Sequence, residues 1–245
     1  MTRRWLFDLG NTRLKCAPLH DDGRVGEVIA SAYRDQDIAM ALSDASMRGE
    51  VAYLASVAAS GTTVALLDAL TQRFTRISIA RTQTSFADVR IAYEDPSALG
   101  VDRFLALLAA RARGPHAALV VGVGTALTID LLDAAGRHHG GRIAPSPGVM
   151  RDALHQRAAQ LPASGGDYVE FASDTAAALA SGCEGAALAL IDRSVAEAVR
   201  IIGTTPRVLL HGGGAHALLP HLPHAESMPA LVLEGLARWA AAEGS

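Results

Sequence analysis

The chain has 245 residues, half of them apolar and 19% charged, with a formal net charge of -3. That length holds one large domain or two lobes around a substantial core. The charge balance excludes the basic surface expected of a nucleic-acid binder and an acidic tail. Two cysteines, Cys16 and Cys183, lie far from any Cys/His ligand spacing, which points to a reducing compartment. The apolar start Trp5-Leu6-Phe7 ends at Asp8, too short for a secretory leader. The longest apolar run, about 117–129, is broken by Gly and Thr and too short to span a bilayer. These features predict a cytoplasmic protein without membrane or nucleic-acid partners.

Taken in chain order, the pattern is α/β with an internal echo. Trp5 to Asp8 reads as a buried strand that turns at Gly10-Asn11-Thr12 into a second strand through Leu14 to Ala17. A helix is expected over 38–46, a strand over 51–57, a helix over 62–74 and a strand over 76–79. Pro96 and Ser97 read as the start of a helix running to Arg113, with Val101, Phe104, Leu105 and Leu108 as its buried stripe. Ala118 to Val121 is again a buried strand, turning at Gly124-Thr125 into Ala126 to Leu131. Helices follow over 147–160 and 175–202, then a strand over 207–210 and a last helix over 230–243. The two strand–Gly–Thr–strand hairpins stand about half a chain apart. They predict two lobes of related architecture, 1–113 and 114–245, with the last helix able to pack back on the first lobe.

The chemistry starts from one lysine. Lys15 is the single lysine among 22 basic residues, and it lies in Asp8-Leu9-Gly10-Asn11-Thr12-Arg13-Leu14-Lys15. A compact ammonium beside a Gly-Asn-Thr turn suits phosphate, where arginine would present a planar fork. A strand ending in Asp-x-Gly-Asn-Thr also offers backbone N–H groups and a hydroxyl to phosphate oxygens, with the carboxylate near an accompanying metal. Asn-Gly hairpins are common by themselves. The echo at Gly124-Thr125 strengthens the signal, since two hairpins could grip one polyphosphate. A third turn, Gly212-Gly213-Gly214, permits close approach by a flat adenine ring, and a plain strand-to-helix turn fits the same residues.

Other nucleotide motifs are excluded. No GxxxxGK[ST] occurs, so the chain is not a P-loop protein. Gly122-Val123-Gly124-Thr125-Ala126-Leu127 starts like a dinucleotide fingerprint, but it ends in Leu and leads into a strand. In the helix that follows Pro96, Asp102 and Arg103 lie off the apolar stripe. Neither has an opposite charge three or four residues away. They are read either as a long-range structural ion pair or as a substrate site, with Asp102 accepting a hydroxyl proton and Arg103 holding a polar group.

At this point Asp8-x-Gly10-Asn11-Thr12-x-x-Lys15, Gly100-x-Asp102-Arg103, Gly124-Thr125-Ala126-x-Thr128-x-Asp130, Gly140-Gly141-x-Ile143, Asp174-Thr175 and Ser181-Gly182 together resemble type III pantothenate kinase. The resemblance covers nearly the whole chain. It implies a two-lobed fold of the actin, sugar kinase and Hsp70 type, a homodimer, and ATP-dependent phosphorylation of pantothenate at the start of coenzyme A synthesis. It further implies that Asp8, Gly10, Asn11, Thr12, Lys15 and Thr125 bind ATP phosphates, with Asp8 holding Mg²⁺. Asp102 would be the general base, with Tyr93, Gly100, Val101, Arg103 and Thr175 around pantothenate.

Two departures stand out. The family usually carries an aspartate two residues before the Gly-Thr turn, and that aspartate ligates an activating K⁺ or NH₄⁺. Here the position is Gly122, which offers no side-chain oxygen. The segment 140–148 is longer than the usual turn, so no site residue is assigned there. His138-His139 reads as surface, His211 as a turn histidine, and both cysteines as packing residues. Two other functions compete: another small-molecule kinase or phosphohydrolase of this fold, and a non-catalytic nucleotide-binding regulator. Intact Asp8, Lys15 and Asp102 argue against the regulator.

Overall fold

The computed structural model describes residues 4–33, 38, 42 and 47–243. It divides into two compact units, one of residues up to Gly114 together with Ala230 onward, the other Pro115–Pro229. The closing helix thus belongs with the first unit, although chain order alone places it in the second.

The first unit is built on β1 (Arg4–Leu9), β2 (Arg13–Leu19), β3 (Ile29–Ala32), β4 (Gly49–Ser56) and β5 (Phe74–Ile79). They form one sheet in the order β3-β2-β1-β4-β5. The pairs β1/β2 and β2/β3 are antiparallel, while β1/β4 and β4/β5 are parallel. Trp5, Leu6 and Phe7 are all buried, as expected of a central strand covered on both faces. One side packs on α1 (Ser60–Thr71) through Leu66 and Leu70, with Phe74 edge-on to Phe7 at 5.6 Å. α2 (Val101–Ala112) and α6 (Leu231–Glu243) pack against each other, and Trp239 of α6 meets Tyr53 of β4 edge-on at 6.5 Å. A small ladder of β6 (Ser85–Phe86) and β7 (Val89–Arg90) adds Phe86, edge-on to Phe104 of α2.

The second unit repeats this plan. Its strands are β8 (Ala118–Val123), β9 (Ala126–Leu132), β10 (His138–Pro145), β11 (Arg207–His211) and β12 (Ala225–Ser227), in the order β10-β9-β8-β11-β12. Again the first two pairings are antiparallel and the last two parallel. The internal echo read from two hairpins is therefore a duplication of a whole sheet, strand for strand. The helices are α3 (Pro147–Arg157), α4 (Thr175–Ile202) and the short α5 (Ala215–Leu218). Asp174 caps α4 by accepting from the Ala177 N–H at 2.9 Å, and Gly203 closes it at φ 75°. By length and composition α4 could cross a membrane. Here its Ala187, Leu188, Ile191 and Ala198 belong to the second unit's core, with Leu119, Val121 and Ile129 of the sheet.

Several expectations need correction. The helix expected from Ser97 starts at Val101, after a separate 3-10 turn at Pro96–Ala98 that Asp95 caps. Leu99 and Gly100 between them are extended, so Asp102 falls in the first turn of α2. The buried stripe is also wider than expected. Arg103, Ala106, Leu107, Ala109 and Ala110 are buried as well, because α2 is covered by α6 in addition to the sheet. His138 is not on the surface. It is 1% exposed and shares a 3.0 Å hydrogen bond with the buried carboxylate of Asp130, a pairing that makes burial of both polar groups tolerable. The helix expected over 38–46 lies outside the described residues, apart from Ile38 and Leu42, which are both buried in the first core.

Candidate active site

In the first unit, the β1/β2 hairpin sets Lys15 directly across from Asp8. The turn is closed by the Gly10 N–H donating to the Arg13 carbonyl at 3.0 Å, leaving Asn11 and Thr12 exposed. Tyr33, just beyond β3, clamps this turn. Its hydroxyl donates to the Gly10 carbonyl and its N–H to the Thr12 carbonyl. Sequence reasoning missed Tyr33, because nothing in the local pattern reveals what a side chain after a short edge strand will reach.

Asp8 is half-buried near the end of β1. Burial pushes its carboxyl from 3.8 up to about 7; the nearby Asp102 carboxylate pushes the same way, and Lys15 opposes them. A carboxylate whose proton a cation can displace, set beside an ammonium and a turn suited to phosphate oxygens, suits a hard divalent cation that arrives with a polyphosphate. The residues therefore fit Mg²⁺ accompanying a polyphosphate. Among the described residues, no cluster of three or more His, Cys, Asp or Glu side chains could hold a metal without such help.

Asp102 is placed by the extended Leu99-Gly100 segment. The Thr82 hydroxyl fixes that segment by donating to the Leu99 carbonyl at 2.7 Å. Gly100 leaves room for the carboxylate: a Cβ there would stand 2.7 Å from Asp102 Oδ1 and would turn it aside. Asp102 Oδ1 accepts from the Arg103 N–H at 2.8 Å, so the carboxylate sits over the positive end of α2. Arg103 is 6% exposed, and its guanidinium lies 5.8 Å from the centre of the Tyr93 ring while donating to the Tyr93 hydroxyl at 3.3 Å. Asp8, Lys15 and Asp102 thus converge, with Tyr93, Gly100, Val101 and Arg103 around the start of α2.

In the second unit the hairpin is closed one residue tighter, by the Gly124 N–H donating to the Ala126 carbonyl at 2.9 Å, with Thr125 exposed at the tip. Gly212 follows β11 at φ 96°, and a Cβ there would meet the Val123 carbonyl oxygen at 2.3 Å. Only glycine allows that turn to lie against the end of β8. The Gly214 N–H donates to the same carbonyl at 2.9 Å. Beside these turns is a cleft of about 250 Å³, lined among others by Gly124, Gly148, Arg151, Glu184 and Gly214. Thr175 is exposed at the first position of α4. Arg151 of α3 steadies that helix start by donating to the Gly165 and Ala176 carbonyls at 2.6 and 3.2 Å.

Comparisons with known proteins identify the family. Residues 5–197 match the family model for type III pantothenate kinase. The chain is 59% identical over 236 residues to a type III pantothenate kinase of Stenotrophomonas maltophilia, covering 96% of each chain. Among solved structures it resembles a Campylobacter jejuni protein described as a Baf family transcriptional activator, with TM-score 0.67 at 18% identity over 98% of both chains. It also resembles an archaeal actin homologue, with TM-score 0.52 at 11% identity over the full length of both. The fold is the two-lobed actin-like ATPase fold, and the chain belongs to the type III pantothenate kinase family.

Proposed function

We propose that this chain transfers the γ-phosphate of ATP to the primary hydroxyl of pantothenate, giving 4'-phosphopantothenate and ADP, the first step of coenzyme A synthesis. The observation that carries the reading is the grouping of Asp8, Lys15 and Asp102 at the ends of β1, β2 and the start of α2. Phosphoryl transfer asks for positioning and charge neutralisation rather than covalent chemistry. In the first unit, the backbone of Gly10, Asn11 and Thr12 and the Lys15 ammonium bind phosphate. In the second unit, Thr125 takes the corresponding hairpin position, and the cleft beside Gly214 receives the nucleoside end. Asp8 would hold Mg²⁺, and the ion would supply charge neutralisation for the phosphates.

Asp102 accepts the proton of the pantothenate hydroxyl as its oxygen attacks phosphorus and ADP leaves. Tyr93, Gly100, Val101 and Arg103 shape the acceptor site, where the buried guanidinium fixes a polar or anionic group of the substrate. Thr175, exposed at the first position of α4, is assigned as a further pantothenate ligand. We assign the chain to the cytoplasm, without nucleic-acid or membrane partners. We further assign it a homodimeric state, with α4 in the interface. Val199 and Ile201 on α4, 37% and 50% exposed, and Phe171, 98% exposed, support that assignment.

The test is ADP release with MgATP, with and without pantothenate, together with mass analysis of the acceptor. Pantothenate-dependent ADP and a singly phosphorylated product are expected. ADP release indifferent to pantothenate would sink the substrate assignment.

A further inference from the structure

The duplicated sheets allow the two hairpins to be compared row by row. Asp8 stands two residues before Gly10, and Gly122 two residues before Gly124. Across the sheet, Asp8 is flanked by Lys15 of β2 and Ala55 of β4. The same row in the second unit reads Thr128 of β9, Gly122 of β8 and His211 of β11. The polar groups have shifted by one strand. In the first unit the central strand carries the carboxylate and the outer neighbour is a small alanine. In the second the central strand is bare and the outer neighbour brings an imidazole.

Gly122 is bare for a reason of space. Its backbone is not among those with positive φ, so no turn conformation demands glycine there. A Cβ on it would stand 2.7 Å from Thr128 Oγ1, 3.0 Å from His211 Nε2 and 3.1 Å from His211 Cε1. Thr128 and His211 therefore stand where a side chain at 122 would begin, and both would have to turn aside to admit one. The backbone that carries His211 is set by its pairing with Gly122 and by Gly212, which lies against Val123 at the end of β8. The family's K⁺ or NH₄⁺ relies on a carboxylate at this position. Such hard cations prefer oxygen, and the groups present are one hydroxyl and an imidazole. The residues do not fit a monovalent cation.

We propose that the second unit has no monovalent-cation site and that His211 takes over its place. The imidazole acts as a fixed hydrogen-bond donor beside the Gly124-Thr125 phosphate hairpin, in either charge state. Charge that other designs neutralise with a dissociable ion is here met by a side chain. The inference rests on the reading that these hairpins bind ATP. It predicts an enzyme whose nucleotide affinity is set by the protein alone, whatever the potassium concentration.

The experiment compares tetramethylammonium chloride with KCl and NH₄Cl at equal ionic strength. Melting temperature against MgATP concentration, without pantothenate, gives nucleotide affinity independently of turnover. Pantothenate-dependent ADP release is then read in the same salts. Wild type should agree within about twofold across the salts in both readouts. His211→Ala should weaken MgATP by about tenfold or more in tetramethylammonium, the scale of a lost hydrogen bond to a charged group. The double variant Gly122→Asp, His211→Ala should regain about tenfold of that affinity on adding K⁺. A wild-type protein activated tenfold by K⁺ would overturn the proposal without any variant. So would a folded His211→Ala protein matching wild type in MgATP affinity. Salt-indifferent MgATP binding without pantothenate turnover would instead strike the substrate assignment and leave this inference standing. Absence of MgATP stabilisation in every salt would remove both.

Discussion

In the first unit, the carboxylate of Asp102 stands near enough to Asp8 to raise the affinity of Asp8 for its proton, adding to the larger effect of burial. The folded-state pKa of about 7 lies above the unfolded value of 3.8, so folding favours the protonated form. Any stability tied to that proton is fully present below 3.8 and is lost as pH rises through about 7. Replacing Asp8 by Asn removes the dependence. Asp8→Asn should therefore melt higher than the ligand-free wild type at pH 8, by several degrees on the order-of-magnitude scale of such shifts. The gap should close toward pH 4. Melting curves at both pH values check this, and an Asn variant less stable at pH 8 would contradict the assigned direction. The same variant should lose Mg²⁺-dependent turnover, because a stabilised ligand-free state is bought at the cost of the metal ligand.

Asp102 is expected to act on the acceptor rather than on the nucleotide. Asp102→Asn keeps size and most hydrogen bonds but cannot take a proton, so turnover should fall by about two orders of magnitude or more. MgATP affinity should change little. Gly100→Ala offers a gentler version. The backbone at φ -52°, ψ 135° accepts alanine, but the new Cβ would displace Asp102 Oδ1 from 2.7 Å. A fall in kcat of roughly ten- to a hundredfold is expected, with almost unchanged melting temperature, as for a misplaced catalytic group. Near-normal turnover in Asp102→Asn would remove the base assignment, whatever Gly100→Ala does.

Arg103 and Tyr93 should govern acceptor binding. The guanidinium both lies over the Tyr93 ring and donates to its hydroxyl, and a lysine would keep the charge but lose the forked donor geometry. Arg103→Lys is expected to raise KM for pantothenate by about tenfold, with KM for ATP unchanged. Tyr93→Phe keeps the ring and should have a smaller effect. Steady-state titration of each substrate against the other separates the two constants. A change confined to ATP would move Arg103 out of the acceptor site.

The parts of this molecule that were legible in its sequence share one property: local chemistry was enough to specify them. The β1/β2 hairpin announces itself through Gly10-Asn11-Thr12 between apolar runs, and α4 through Asp174 and Gly203 at its two ends. What was not legible depends on distant partners. β3 and β12 are edge strands of four and three residues, too short to declare themselves, and they form because β2 and β11 offer them free edges. β10 begins His-His-Gly-Gly, a poor strand sequence, and is held by its pairing with β9 across a register shift and by the His138–Asp130 contact. The candidate site divides the same way. Asp8, Lys15 and Asp102 stand in readable motifs. Tyr33 and Thr82 support the site through contacts made only after folding.

The packing of α6 on α2 offers the sharpest stability test, since it joins the end of the chain to the helix that carries Asp102. Gly235 of α6 lies so close to α2 that a Cβ would fall 1.9 Å from the Leu105 carbonyl oxygen and 2.5 Å from its carbon. These are backbone atoms inside a helix, so no side-chain rotation can relieve the clash. Gly235→Ala must push the two helices apart, which should cost at least the roughly 1–3 kcal/mol of ordinary overpacking. Separation would also disturb the start of α2, so Asp102-dependent turnover should fall along with stability. Gly61→Ala is the matched control in the same unit. It adds a methyl group to α1 with nothing within 4 Å, and should leave the urea midpoint unchanged or slightly higher. Equal midpoints for the two variants would mean that α6 does not rest on α2 as closely as Gly235 indicates.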